Sequence, residues 1–304
     1  MARKKENDYI MEDRFNLIHD PKPISYTSDV SDMFRILLWY TPNTDGYQAD
    51  TAPIITEDSF DDETFGFFCN TLGMSEDNIL CRNYDETENL DNMIRNIVPE
   101  DGICRMILRF NEEHTKTYWM FKHLRNTLAH GRFGIMDGTF IGFDNIYGKY
   151  NFHIRVDLVH LRTALESLLP KTGRINVDNP PLYIESMVRE TVSKLEGFEI
   201  MEAEPTRRSR VDLCVWNEKL GLEVGLEIKY YRTRPRLNAR KYQRYYNDGQ
   251  KIMFLCIMPN ADVDDLDRGE YNRRNMIILD KTRFKQFLQC KDEITYQIEK
   301  IVSD

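Results

Sequence analysis

"LRNTLAHGRF", Leu124 to Phe133, ends a long helix-forming run and opens a stretch that reads as strands, so its reading divides the first half of the chain. Gly131 suits the position just past a helix C-terminus, where only Gly takes up the left-handed conformation at little steric cost. His130 in the last turn would favour the negative end of the helix dipole. A capped helix accounts for the stretch on these grounds alone. Upstream, "ICRMILRFNEEHTKTYWMFKHLRNTLAH" has no Gly or Pro between Ile103 and His130 and predicts helix. Helices are also predicted over Val30–Tyr40, over Asp58–Leu72 with Asp and Glu crowding its first turn, and in "NLDNMIRNIV". Downstream, "RFGIMDGTFIGFDN" sets Asp137-Gly138 between two short apolar-alternating runs, the signature of a tight hairpin. An extended run, Tyr150 to Val156, leads into a helix over Asp157–Leu169. The expectation is a mostly helical domain, residues 1–169, with a small β-hairpin.

A chain of 304 residues suggests two domains. "PKTGRINVDNPP", Pro170 to Pro181, reads as a linker because Pro, Gly and Asn stop both neighbouring elements. Beyond it, residues 182–304, a helix starts at Asn179-Pro180-Pro181 and buries Leu182, Met187, Val188, Thr191, Val192 and Leu195 before ending at Gly197. "VDLCVW" and "LGLEVGLEIK" follow as strands, then a helix over Asn238–Asn247 and the apolar strand "KIMFLCIM". That order indicates an α/β sandwich.

Composition narrows the class. Hydrophobic residues are 41% and charged residues 30%, with 16 Phe and 16 Tyr to fill cores. No run approaches the roughly 18 apolar residues of a membrane span, and "MARKKENDYIMEDRF" lacks the apolar core of a secretory signal. A cytoplasmic protein without membrane partners is expected. Six scattered cysteines form no CxxC pair and read as reduced buried thiols, and the six dispersed histidines offer no zinc spacing. Net charge is −9, but Asp178 to Asp304 holds 22 Lys+Arg and 22 Asp+Glu, so the preceding part carries all of it. Within the neutral half, "KYYRTRPRLNARKYQR", Lys229 to Arg244, has seven basic residues, no acidic one and interleaved tyrosines. Arg232, Arg234, Arg236, Arg240, Lys241, Gln243 and Arg244 are its candidates for contact with a nucleic-acid backbone.

Along Leu222–Lys229, alternation sends Leu222, Val224, Leu226 and Ile228 to one side and Glu223, Glu227 and Lys229 to the other. Asp212, one strand earlier across a turn at Asn217–Lys219, can meet them across the sheet. Converging carboxylates can hold Mg²⁺, and a neighbouring Lys can orient a water for attack on a phosphodiester. A cross-strand ion pair among exposed residues is the plainer account. Glu185 on a helix, then Asp212, Glu227-Ile228-Lys229 and a helix with Gln243 resemble the PD-(D/E)xK nuclease superfamily, the restriction-endonuclease-like fold. The resemblance covers roughly Leu182 to Met258, with Val211 where Pro often stands. It implies that Asp212 and Glu227 bind Mg²⁺ (or Mn²⁺), that Lys229 acts on the water, and that Glu185 and Gln243 support the site.

Beside such a half, Arg125, Asn126 and His130 at the end of a long helix, followed by a hairpin, resemble the R-x4-6-H motif of the HEPN superfamily. Five helical positions turn about 140° beyond one revolution, so Arg125 and His130 do not stack, whereas Asn126 lies one turn below His130. HEPN domains commonly dimerise, which implies a homodimer that completes the cleft. The resemblance implies metal-independent RNA cleavage, with His130 as general acid or base, Arg125 stabilising the transition-state charge and Asn126 orienting. His114, His123, His153 and His160 read as structural.

The sequence thus predicts a multidomain α and α/β protein, an N-terminal HEPN-like helical bundle joined to a C-terminal restriction-endonuclease-like α/β sandwich. The expected activity is a two-site nuclease, acting on RNA at the first site without cofactor and on DNA or RNA at the second with Mg²⁺. Two nucleases in one chain suggest a prokaryotic defence effector or toxin. The rival is a non-catalytic dimeric scaffold whose C-terminal half binds nucleic acid or a partner protein.

Overall fold

The computed structural model describes residues 28–40, 58–84, 89–98, 102–169, 181–201, 212–229, 253–257, 262–264, 268–269, 271 and 276–289. The chain divides into two compact units, Met1–Leu168 and Leu169–Asp304. The first is helix-rich and the second a mixed sheet with helices.

In the first unit, α1 (Ser28–Tyr40), α2 (Asp61–Thr71, after a 3₁₀ turn at Asp58–Phe60), α4 (Lys116–Ala129) and α5 (Leu158–Glu166) pack on one another. Phe68 meets Phe121 edge-on, 4.9 Å between centroids, in this layer. The layer lies on a five-stranded sheet ordered β1-β2-β5-β4-β3. Its strands are β1 (Ile79–Asn83), β2 (Arg105–Phe110), β3 (Phe133–Met136), β4 (Thr139–Ile146) and β5 (Lys149–Asp157). β1 and β2 run parallel, the connection carrying the short helix α3 (Leu90–Arg95), and the other pairs are antiparallel. Leu90, Ile94 and Ile97 join Ile107, Ile141, Phe143 and Tyr150 in a buried cluster on the α3 side. Alternation sends Met106, Leu108, Gly142, Asp144 and Phe152 to the opposite side, towards α4.

This sheet corrects the expectation of a helical bundle with only a hairpin. Residues 105–110 were expected to be helical, yet they form β2 in the middle of the sheet's parallel pairing. Because helices cover both faces, β2 buries Met106, Ile107 and Leu108 in succession and its apolar run has no readable period. The helix begins only at Lys116. Thr115 Oγ1 accepts from Tyr118 N at 3.0 Å, and Asp61 of α2 accepts from Lys116 N and Thr117 N at 2.8 and 3.0 Å. Three of the four amides left open at that helix start are thereby satisfied. The predicted hairpin is present as β3–β4, with Asp137 and Gly138 at φ 48° and 76° in its turn.

In the second unit, α6 (Leu182–Lys194) precedes β6 (Phe198–Met201), β7 (Leu213–Asn217), β8 (Leu222–Ile228), β9 (Met253–Ile257), β10 (Met276–Leu279) and α7 (Lys281–Leu288). The sheet order is β10-β9-β8-β7-β6. β6, β7 and β8 form an antiparallel meander, and β9 and β10 add in parallel. Strand β6 has no counterpart among the predicted elements. Tyr183, Ile184, Met187, Val188 and Val192 form the buried stripe of α6, spaced by three and four as an amphipathic helix requires. The linker residues 170–180 and the predicted helix Asn238–Asn247 lie outside the described residues.

Candidate functional site

In the second unit, Leu213 pairs with Leu226 across the antiparallel β7/β8 register, which sets Asp212 opposite Glu227 at the end of the ladder. The Ile228 amide donates to Asp212 Oδ2 at 2.8 Å and fixes that carboxylate beside the tail of β8. Glu227 and Lys229 are both almost fully buried, with exposures of 3% and 4%, and their carboxylate and ammonium form an ion pair. An exposed cross-strand pair, the plainer account of these residues, is therefore not what the fold builds. Burial of two charges is costly unless each is compensated, so the pair marks a position where charge is retained against its solvation.

Glu185 is placed differently. Its Oε1 accepts from Arg189 Nε and Nη2 at 3.1 and 3.0 Å, one turn along α6. Among the described residues, no three His, Cys, Asp or Glu side chains converge as a metal-holding group. Asp212 and Glu227 would be the donors for a metal at this position. Hard carboxylate oxygens, one or two in number, are what Mg²⁺ takes from protein, the rest of its shell being water and phosphate oxygen, so these residues fit the ion. Arg232, Arg234, Arg236, Arg240, Lys241, Gln243 and Arg244 lie outside the described residues.

In the first unit, the C-terminus of α4 closes as a capped helix. Gly131 takes φ 64°, its amide donates to Leu128 O at 3.1 Å, and the Arg132 amide donates to Thr127 O at 2.9 Å. These two bonds are those of the Schellman motif, and they leave His130 as the exposed C-cap. Arg125 and Asn126 are brought together one turn earlier. Arg125 Nη1 donates to Asn126 Oδ1 at 3.5 Å, and Asn126 Nδ2 donates to Asp144 Oδ2 at 3.1 Å. The His130 ring makes no hydrogen bond or ion pair with either of them among the described residues.

His123, read from the sequence as structural, sits next to this group. It is fully buried, with Nδ1 2.7 Å from Asp144 Oδ2 and Nε2 3.1 Å from the carbonyl oxygen of Arg109. The ring stacks on Phe152, at 5.3 Å between centroids and 10° between planes. Asp144 thereby joins His123 and Asn126, three apart on one face of α4, and Arg132 Nη1 stands 3.7 Å from its other oxygen. The spacing His123-x-x-Asn126 was legible; its partner on β4 was not. Along the same face, Lys122 Nζ lies 4.0 Å over the Trp119 ring, and burial holds its ammonium below the ordinary lysine range.

Comparison with family models finds none that matches the chain, and none of the curated proteins or solved structures compared is significantly similar to it. Among the described residues no helix is long and apolar enough to cross a membrane.

Proposed function

We propose that the second unit is a Mg²⁺-dependent (or Mn²⁺-dependent) phosphodiesterase that cuts DNA or RNA. The observation that carries this reading is the buried Glu227–Lys229 pair at the tail of β8 with Asp212 opposite it. Glu185 on α6, Asp212 at the head of β7 and Glu227 and Lys229 at the tail of β8 keep the chain order on which the restriction-endonuclease-like resemblance rests. When bound, the ion supplies Lewis acidity at a phosphoryl oxygen and lowers the pKa of a water. Asp212 and Glu227 would hold it. Lys229, with its ammonium beside Glu227, is placed to orient a water and to stabilise negative charge developing on the phosphate. The basic stretch from Lys229 to Arg244 would hold the nucleic-acid backbone.

A second reading concerns the first unit, as a metal-independent endoribonuclease of HEPN type working in a homodimer. What favours it is Arg125 gathered with Asn126, and Asn126 tied to a buried carboxylate, one turn before an exposed His130. His130, free to turn at the helix end, would move the proton of the 2′-hydroxyl, and Arg125 would meet the phosphate. A chain with both activities suits a defence effector or toxin of a prokaryote.

One experiment separates the readings: cleavage of end-labelled RNA and double-stranded DNA by purified protein, with Mg²⁺ and with EDTA. Cleavage only with Mg²⁺, lost in Glu227→Ala and in Lys229→Ala, is the expected result for the second unit. RNA cut in EDTA and spared by His130→Ala is the expected result for the first. Binding of either substrate without any cleavage would overturn both and leave the scaffold.

A further inference from the structure

The Asp144 carboxylate is the single buried acid of a cluster otherwise rich in cations. Lys122 and Arg132 approach it from α4 and from the turn after α4, Arg125 bonds its neighbour Asn126, and Arg109 lies over the Tyr84 ring, whose hydroxyl feels both Arg109 and Asp144. All four cationic residues are partly exposed while Asp144 is 1% exposed. Asp144 is already engaged by His123 and Asn126. Among the described residues Lys122 has the Trp119 and Tyr118 rings as close partners, and Arg109 has the Tyr84 ring at 5.2 Å and Asn151 Oδ1 at 3.4 Å. The Nε atoms of Arg125 and Arg109 are buried without a hydrogen-bond partner. Glu113, ahead of the start of α4, also acts on Lys122, after Asp144, and is bonded by Asn111 Nδ2 at 3.0 Å.

We infer that Lys122, Arg125 and Arg132, flanked by Arg109, bind the phosphodiester backbone of a nucleic-acid strand, with the buried Asp144–His123 pair setting the positions of Asn126 and Arg132. Arg132 Nη1 donates to Asn145 O at 3.1 Å, and phosphate oxygens would supply acceptors for the remaining guanidinium and ammonium donors at once. Trp119 is buried beneath Lys122, so base stacking on it is closed and binding is to the backbone, without regard to sequence. The inference rests on the second reading above only for where a strand would be cut, and binding is therefore measured apart from cleavage.

The probes are a fluorescein-labelled 2′-O-methyl oligouridylate and an oligothymidylate of equal length, in EDTA. The first cannot be cut by 2′-hydroxyl attack, the second has no such hydroxyl, and EDTA silences the metal site. Anisotropy is followed over about 50 to 200 mM salt with the full chain and with the Lys122→Gln/Arg125→Gln/Arg132→Gln variant. Loss of three phosphate contacts lowers the slope of log K against log salt by about 2, at about 0.7 per contact for single strands. An unchanged slope and affinity with both probes would overturn the inference. Because the segment Lys229 to Arg244 could dominate binding, photocrosslinking with 5-iodouridine in the same strands gives a reading that needs no variant. Crosslinked peptides from residues 109–132 support the inference, and crosslinks confined to the second unit overturn it. The oligouridylate and oligothymidylate arms decide between an RNA and a DNA source of the phosphates.

Discussion

Asp144 lies at 1% exposure between His123, Asn126 and Arg132. Removing one partner of a buried pair leaves the other charge or donor uncompensated. Asp144→Ala should therefore lower the stability of the first unit by about 3 kcal/mol, read from urea midpoints by Trp119 fluorescence. The exposed pair Lys194–Glu190, at 57% and 38% exposure, is the contrast: Glu190→Ala should cost below about 0.5 kcal/mol. The thiols give a second test. Burial pushes Cys69 and Cys214 up to about 12 and Cys81 up to about 11, with Cys214 also held by its bond to Glu223 Oε1 at 3.0 Å. Thiolate is the reactive form, so native Cys69, Cys81 and Cys214 should resist iodoacetamide at pH 8 and label at once on unfolding. The linkage has a definite sign. The unfolded thiols ionise near 9 and the folded ones later, so this part of the stability is intact below pH 9 and is lost as pH rises from about 9 towards 12. Urea midpoints that stay level between pH 9 and 11 would contradict it.

At the scale of elements, α4 meets β4 closely at one point. A Cβ on Gly142 would lie 2.6 Å from Thr127 Cγ2 and 3.0 Å from Phe140 Cε1, whereas one on Gly131 would meet nothing within 4 Å. The two glycines are needed for different reasons, contact at 142 and a left-handed backbone at 131. Gly142→Ala should cost about 1 to 3 kcal/mol by overpacking, and Gly131→Ala about 1 to 2 kcal/mol by backbone strain. Thr127→Ser removes the offending methyl. It should restore much of the loss in Gly142→Ala and none in Gly131→Ala, a coupling that a double-mutant cycle measures. The elements themselves were unevenly legible. α2 and α6 carry acidic first turns, α5 starts after Asp157 and α6 after Pro181, all local signals. β2 does not: its period vanished because α3 and α4 cover opposite faces of the same strand, which no local pattern records.

At the scale of the molecule, each unit holds its own sheet and its own core. The two proposed activities should therefore fail separately. Glu227→Ala should abolish Mg²⁺-dependent cleavage and leave EDTA-resistant RNA cleavage within about twofold, and His130→Ala should do the reverse, since sites without shared partners behave additively. Loss of both activities in either single variant would refute two independent sites. Of the second-unit site, Asp212, Glu227 and Lys229 were legible because strand alternation and a short turn bring near neighbours in sequence together. Of the first-unit candidate site, Arg125, Asn126 and His130 were legible as a local motif on one helix end, while the Asp144 contact to His123 and Asn126 was not. By itself the sequence determined the two-part division of textures, most helices, the Asp137-Gly138 hairpin and the residues of local motifs, since each depends on neighbours within a few positions. Only the tertiary structure decided that residues 105–110 are a strand, that Glu227 and Lys229 are buried, and that Asp144 reaches His123 across 21 positions. Those outcomes depend on which surfaces the rest of the chain covers, and burial is a property of the whole fold rather than of the stretch being buried.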